Sequence, residues 1–220
     1  MPALENNSDE RPSSGIAAHW DHAYSRGVDQ VSWFESEAGM SGQLIKSLNL
    51  AEGSATIDIG GGASPLAGYL LDQGLGDVSV LDISADALDA AKAQLGSRGQ
   101  DIQWIDADLL TWTPSRKYGL WHDRAVLHFL TQVEDQRTYS DLVRTALAPG
   151  GFAVIGAFAL DGPESCSGLE VQRYTTGQLL DLLGETFSLV EERQGYHETP
   201  GGSIQHFSWM KMLIFLFWEI

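Results

Sequence analysis

Residues 55–74 read ATIDIGGGASPLAGYLLDQG: an apolar run carrying Asp58, then Gly60, Gly61 and Gly62, then a helical pattern that starts near Ser64 and Pro65. Consecutive glycines let a backbone approach a ligand closely, and the carboxyl end of a first strand is where open α/β sheets bind their ligands. In a dinucleotide fingerprint, Gly60 and Gly62 would be followed three residues later by glycine or alanine. That position is Pro65, so the loop departs from the pattern. Around it, between residues 50 and 160, short apolar runs alternate with helical patterns every 20 to 30 residues. This is the rhythm of strand-helix units in a doubly wound, mostly parallel sheet.

The strands are expected at Ala55 to Ile59, Val78 to Leu81, Ile102 to Ile105, Tyr118 to His122 and Phe152 to Phe158. The central ones are apolar throughout, as a sheet covered on both faces requires. SADALDAAKAQLGSRG reads as a helix capped by Ser84 and stopped by Gly96. TQVEDQRTYSDLVRTALAPGG reads as another, acidic early, with Arg144 late and Pro149 to Gly151 as its end. After Leu160 a long connection, DGPESCSGLEVQRYT, leads to a helix over Thr176 to Gly184. Strands Phe187 to Glu192 and Ser203 to Met212 follow, joined through HETPGG as an antiparallel hairpin. Upstream, AAHWDHAYSRGVDQVSWF and a helix around Gln43 to Leu48 form a cover over residues 15–50. Residues 1–14 are expected to be a disordered leader, 15–212 one domain, and 213–220 an apolar extension whose aromatics would drive self-association.

With 30 acidic and 13 basic side chains the formal charge is −17, which would repel a phosphate backbone and argues against nucleic acid as partner. The longest apolar run, Met212 to Trp218, is too short for the roughly 20 residues of a membrane helix, so no membrane partner is expected. The N-terminus lacks the pattern of a secretory signal, and a single cysteine, Cys166, suits a reducing cytoplasm.

The strand ends carry the chemistry. Asp58 beside the glycine loop would repel a pyrophosphate but suits a ligand with an ammonium tail and a sulfonium centre. Asp82, 24 residues later at the end of VSVLD, can accept both hydroxyls of a ribose. Asp106 and Asp108 in WIDADLL fall where an adenine would lie, with Asp108 able to accept from its amino group. Three acidic strand ends in succession point to a nucleoside site.

ATIDIGGGASPL, VSVLDIS, WIDADLL, YGLWHDRAVLHFL and LAPGGFAVIGAF resemble the successive motifs of class I S-adenosylmethionine-dependent methyltransferases, over roughly residues 17–212. AHWDHAY, VSWF and SGLEVQRY resemble a subgroup of small bacterial enzymes with similarity to thiopurine and protein-lysine methyltransferases. The resemblance implies a Rossmann-like, seven-stranded sheet with a reversed final strand and S-adenosylmethionine as cofactor. It places Asp58, Gly60, Gly61 and Gly62 around the methionine part, Asp82 on the ribose, and Ile83, Asp108 and Leu109 about the adenine. Gly119, where many relatives have an acidic residue, and Ser64, where glycine is common, depart from the pattern.

On the acceptor side, WHDRAVLHF brings Asp123 forward as a further cofactor contact and Arg124 as a catalytic residue that orients an anion or the cofactor carboxylate. An Asp123–Arg124 ion pair is the structural alternative. His128 is the candidate general base, with a buried core imidazole as its alternative. Trp33, Cys166, Arg173 and Tyr174 are expected to line or close an acceptor pocket, with Trp20 joining Trp33 in an aromatic lid. Two arginines at this end favour a small-molecule acceptor with an anionic or ionisable group, a thiol or selenol above all. A protein lysine and a non-catalytic S-adenosylmethionine-binding role are the rivals. No spacing of His and Cys suggests a metal, so none is expected.

Overall fold

The computed structural model describes residues 13–215. Along the chain run α1 (Ser13–Tyr24), α2 (Gly39–Lys46), β1 (Thr56–Ile59), α3 (Leu66–Asp72), β2 (Val78–Asp82), α4 (Ala85–Leu95), β3 (Gln103–Asp106) and β4 (Tyr118–Arg124). They are followed by α5 (Val133–Ala146), β5 (Leu147–Phe158), β6 (Ser165–Cys166), β7 (Leu169–Glu170), α6 (Thr176–Leu183), β8 (Phe187–Glu198) and β9 (Ile204–Ile214). Seven strands form one sheet in the order β3-β2-β1-β4-β5-β9-β8. The first five are parallel, and β9 runs antiparallel to both its neighbours. This is the α/β, doubly wound, mostly parallel sheet with a reversed last strand.

The local signals act as their chemistry demands. Ser84 Oγ accepts from the Ala87 amide at the start of α4, and Gly96 ends that helix with φ 56°. Ser64 Oγ accepts from Leu66 N, so the serine in place of a glycine helps start α3. Strand alternation divides the core in two. One face packs Ile57, Trp121 and Ile155 against Tyr139 and Val143 of α5 and Leu179 of α6. The other packs Val80, Leu120 and Val154 against Leu44 of α2, Leu70 of α3 and Leu88 of α4.

Several boundaries differ from the expected ones: β5 begins at Leu147 instead of Phe152, and α2 spans Gly39–Lys46 instead of Gln43 to Leu48. β8 runs to Glu198 instead of Glu192, because it alternates exposed and half-buried residues along the sheet edge and pairs with β9 throughout. At the other end, Leu213 pairs with Phe152 and Ile214 with Phe187, so the first two residues assigned to the apolar extension 213–220 belong to the sheet. Ser13 and Ser14, assigned to the leader, belong to α1. Residues 1–12 of the leader and 216–220 of the extension lie outside the described residues. Among the described residues, no helix is long and apolar enough to cross a membrane.

Candidate active site

β1, β2 and β4 end side by side. Register pairs Asp58 with His122 and Ile59 with Asp123, and places Asp82 opposite Asp106 of β3. The turn after β1 follows from the glycines. Gly60 and Gly62 have φ of 60° and 44°, in the left-handed region that disfavours a side chain. The space is as demanding as the backbone. A Cβ on Gly60 would strike Val126 Cγ2, one on Gly61 would lie 2.6 Å from Asp58 Oδ2, and one on Gly62 2.5 Å from the Tyr24 hydroxyl.

The loop borders a cleft whose other walls include Tyr24, Trp33, Glu35, Asp58 and Arg124. Asp58 is buried. Its Oδ1 lies 2.6 Å from His122 Nδ1, while its Oδ2 has no hydrogen-bond partner. Asp82 accepts from the Ser84 amide at 2.8 Å. Burial, reinforced by the nearby Asp58 carboxylate, pushes Asp82 up to about 7 against hydrogen bonds that lower it. Ile83 and Asp108 are half-buried at the strand ends, Asp108 accepting from the Leu110 amide. Leu109 packs in the core with Ile59 and Leu81.

Asp123 corrects an expectation. It points to the opposite face of β4 and is fully enclosed. Oδ1 accepts from Val126 N, and Oδ2 from Leu127 N and the Tyr139 hydroxyl. Burial raises it to about 6. It closes the turn after β4 and is not a cofactor contact; nor does it pair with Arg124.

Arg124 does reach the cleft, where Nη1 donates to the Trp33 carbonyl at 3.0 Å and Nη2 lies 3.3 Å from Glu35 Oε1. Its guanidinium lies over the Phe207 ring, and burial lowers its pKa. It anchors the N-terminal cover. Trp33 donates through Nε1 to the Tyr24 hydroxyl and packs edge-on against Trp20 and Tyr24, with Trp33 and Tyr24 in the wall of the cleft. The same burial holds the Tyr24 hydroxyl protonated by pushing its pKa well up.

The other acceptor-side residues are not brought together. His128 is fully buried against Phe129 and Phe158 with both ring nitrogens unpartnered. Burial and the Arg124 charge push it down to about 3. A base that weak does not take a proton near neutral pH, so the expected general base is a neutral core imidazole. Arg173 turns back on its own loop, donating to the carbonyls of Leu160 and Gly162 and pairing with Glu164 at 3.0 Å. Tyr174 packs into the opposite core face from Cys166. Only Cys166 meets the cover, its Sγ 4.0 Å from Ser32 Oγ, and burial raises its thiol pKa. Arg173 and Tyr174 therefore do not line a common pocket with Cys166 and Trp33.

Tyr24, Glu35 and His122 line the cleft and Ser41 lies behind His122, and none of the four carried an assigned role. AHWDHAY was visible as a motif, and strand alternation alone puts His122 and Arg124 on one face and Asp123 on the other. Ser41 reaches His122 across 81 residues of sequence, which no local pattern reveals. Among the described residues, no three His, Cys, Asp or Glu side chains cluster as a metal site.

Residues 57–151 match the family model of the methyltransferase domain. The whole fold is similar to 1,6-didemethyltoxoflavin-N1-methyltransferase of Burkholderia thailandensis, solved with 1,6-didemethyltoxoflavin and S-adenosylhomocysteine. The TM-score is 0.71 at 19% identity, covering 98% of this chain and 94% of that one. A SAM-dependent methyltransferase of Anabaena variabilis gives TM-score 0.70 at 15% identity over 90% and 95% of the two chains. The N-methyltransferase NodS of Bradyrhizobium japonicum, in complex with S-adenosylhomocysteine, gives 0.61 at 18% identity over 88% and 97%. Comparison with curated protein sequences finds no match. The match to the methyltransferase domain thus lies over residues 57–151, and the chain as a whole has the class I methyltransferase fold.

Proposed function

We propose that the protein transfers the methyl group of S-adenosylmethionine to a small-molecule acceptor. The observation that carries this is a pair of buried carboxylates, Asp58 and Asp82, flanking a loop that only glycine can form, with Asp58 Oδ2 left unpartnered. An ammonium near Asp58 and a ribose on Asp82 fit this arrangement, and the cleft carries negative charge where the cofactor carries positive. When bound, the cofactor supplies a methyl already activated by positive sulfur. The acceptor's lone pair forms the new bond to carbon as the carbon–sulfur bond breaks, and its electron pair passes to sulfur. The protein then has to orient the two reactants and exclude water. Tyr24, Trp33 and Arg124, which tie the cover to the sheet, perform that exclusion.

The acceptor we favour is a basic nitrogen, not the thiolate or selenolate that two free arginines would suit. Arg173 is committed to its own loop and Arg124 Nη1 to the Trp33 carbonyl, with Nη2 beside Glu35, while the groove beyond Glu35 is walled by Asp29, Glu37 and Glu198. Such a field draws cations, and the amine attacks as the free base once its proton has passed to solvent water. The cytoplasm is the compartment we assign. Release of S-adenosylhomocysteine, measured across amines, thiols, phenols and a lysine peptide, tests the reading. Turnover with amines supports it. Turnover with thiols alone overturns the acceptor class, and binding of S-adenosylhomocysteine without turnover on any acceptor overturns the enzymatic reading in favour of a sensor.

A further inference from the structure

His122 on β4 stands beside Asp58 on β1, and both side chains are 3% exposed. Its Nδ1 lies 2.6 Å from Asp58 Oδ1 and its Nε2 lies 2.9 Å from Ser41 Oγ on α2. A carboxylate offers only acceptors, so the Nδ1 hydrogen faces Asp58. Nε2 on the far side of the ring meets the Ser41 hydroxyl.

Packing holds this chain of contacts in place. Trp209 stacks on the imidazole with ring centroids 6.4 Å apart and an interplanar angle of 29°. Trp209 itself lies flat because its neighbours are glycines. A Cβ on Gly156 would come within 2.7 Å of the indole ring and one on Gly195 within 2.9 Å of its nitrogen. Asp58 is thus held with Oδ1 engaged and Oδ2 buried without a partner beside Gly61. A buried oxygen left in that state is costly unless a ligand supplies the missing donor.

We propose that His122 is a positioning residue for the cofactor. With Ser41 behind it, His122 holds Asp58 so that Oδ2 receives the ammonium of the cofactor's amino-acid tail. The inference rests on the reading of S-adenosylmethionine given above.

The test is calorimetric and compares two ligands, S-adenosylhomocysteine and 5′-methylthioadenosine, which keeps the nucleoside and lacks the amino-acid tail. His122→Phe preserves the ring against Trp209 and removes both nitrogens. Affinity for S-adenosylhomocysteine should fall roughly tenfold, while that for methylthioadenosine changes less than about twofold. His122→Asn, whose amide can again donate toward Asp58, should recover most of the loss. Ser41→Ala should show the same selective loss at about threefold, and it carries the test if His122→Phe does not fold. Equal losses for both ligands, or none for either, in the variants that fold would make His122 a packing residue and overturn the proposal. Failure of the wild-type chain to bind S-adenosylhomocysteine would overturn the reading beneath it instead.

Discussion

Asp58 and Asp123 sit at the ends of adjacent strands, one register step apart, and both are buried, yet they do opposite work. Asp123 accepts three hydrogen bonds on the α5 face of the sheet, from Val126 N, Leu127 N and the Tyr139 hydroxyl. Asp58 on the cleft face has one partner, His122, and an oxygen with none. Burial is alike in the two. What separates a carboxylate that holds a turn from one that holds a ligand is the acceptor capacity left over once the protein's own donors are counted.

The sharpest way to break this contrast is to remove the fully satisfied member. Asp123→Ala leaves three donors without an acceptor inside the core, and urea unfolding should show a loss of roughly 3 to 5 kcal/mol. Asp58→Asn, whose amide oxygen can still accept from His122, should cost about 1 kcal/mol or less in the same measurement. Equal losses would erase the distinction. For ligand binding the order reverses. Asp82→Ala leaves the ribose hydroxyls unpaired, and calorimetry should show S-adenosylhomocysteine affinity weaker by about 1 to 3 kcal/mol. Unchanged affinity would remove Asp82 from the site.

The pH dependence sharpens the comparison from the ligand side. Burial raises Asp82 from its ordinary 3.8 to about 7. Between those values the folded chain holds a proton that the unfolded chain has lost, so Asp82 makes stability fall as pH rises through that window. Ligand affinity has the opposite sign, because ribose hydroxyls donate to the ionised carboxylate. S-adenosylhomocysteine should bind roughly tenfold more weakly at pH 6 than at pH 8, and Asp82→Asn should flatten the profile. A wild-type profile already flat from pH 6 to 8 would place the titrating group elsewhere.

The parts of this site legible in the sequence are those set by short-range rules. Three glycines after an apolar strand fix the loop, Ser84 and Gly96 fix the ends of α4, and the carboxylates at 58 and 82 fall where the parallel sheet puts its strand ends. The two-residue period of a strand also separates His122 and Arg124 from Asp123, whereas closeness to the strand end groups all three. The donors that satisfy Asp123 include Tyr139, which arrives with α5 from 16 residues away. Likewise Tyr24 and Trp33 reach the cleft, and Ser41 reaches His122, only once the N-terminal cover packs over the sheet. Which side chains meet across such distances is a tertiary outcome, absent from any local window.

Arg173 provides the finest test, because its residue type suggested a pocket and its surroundings do not. Both its terminal nitrogens are engaged within the connection after β5, with the Leu160 and Gly162 carbonyls and with Glu164, itself 82% exposed in its side chain. An ion pair so open to solvent contributes little, and the carbonyl contacts brace a surface loop. Arg173→Ala should lower stability by about 0.5 to 1 kcal/mol and leave both S-adenosylhomocysteine affinity and turnover on an identified acceptor within about twofold of wild type. Arg124→Ala provides the contrast, since its side chain joins β4 to Trp33 and Glu35 of the cover, and turnover should fall with it. If turnover falls with Arg173 and not with Arg124, the acceptor lies beside the connection after β5, and the basic-nitrogen reading gives way to an anionic acceptor.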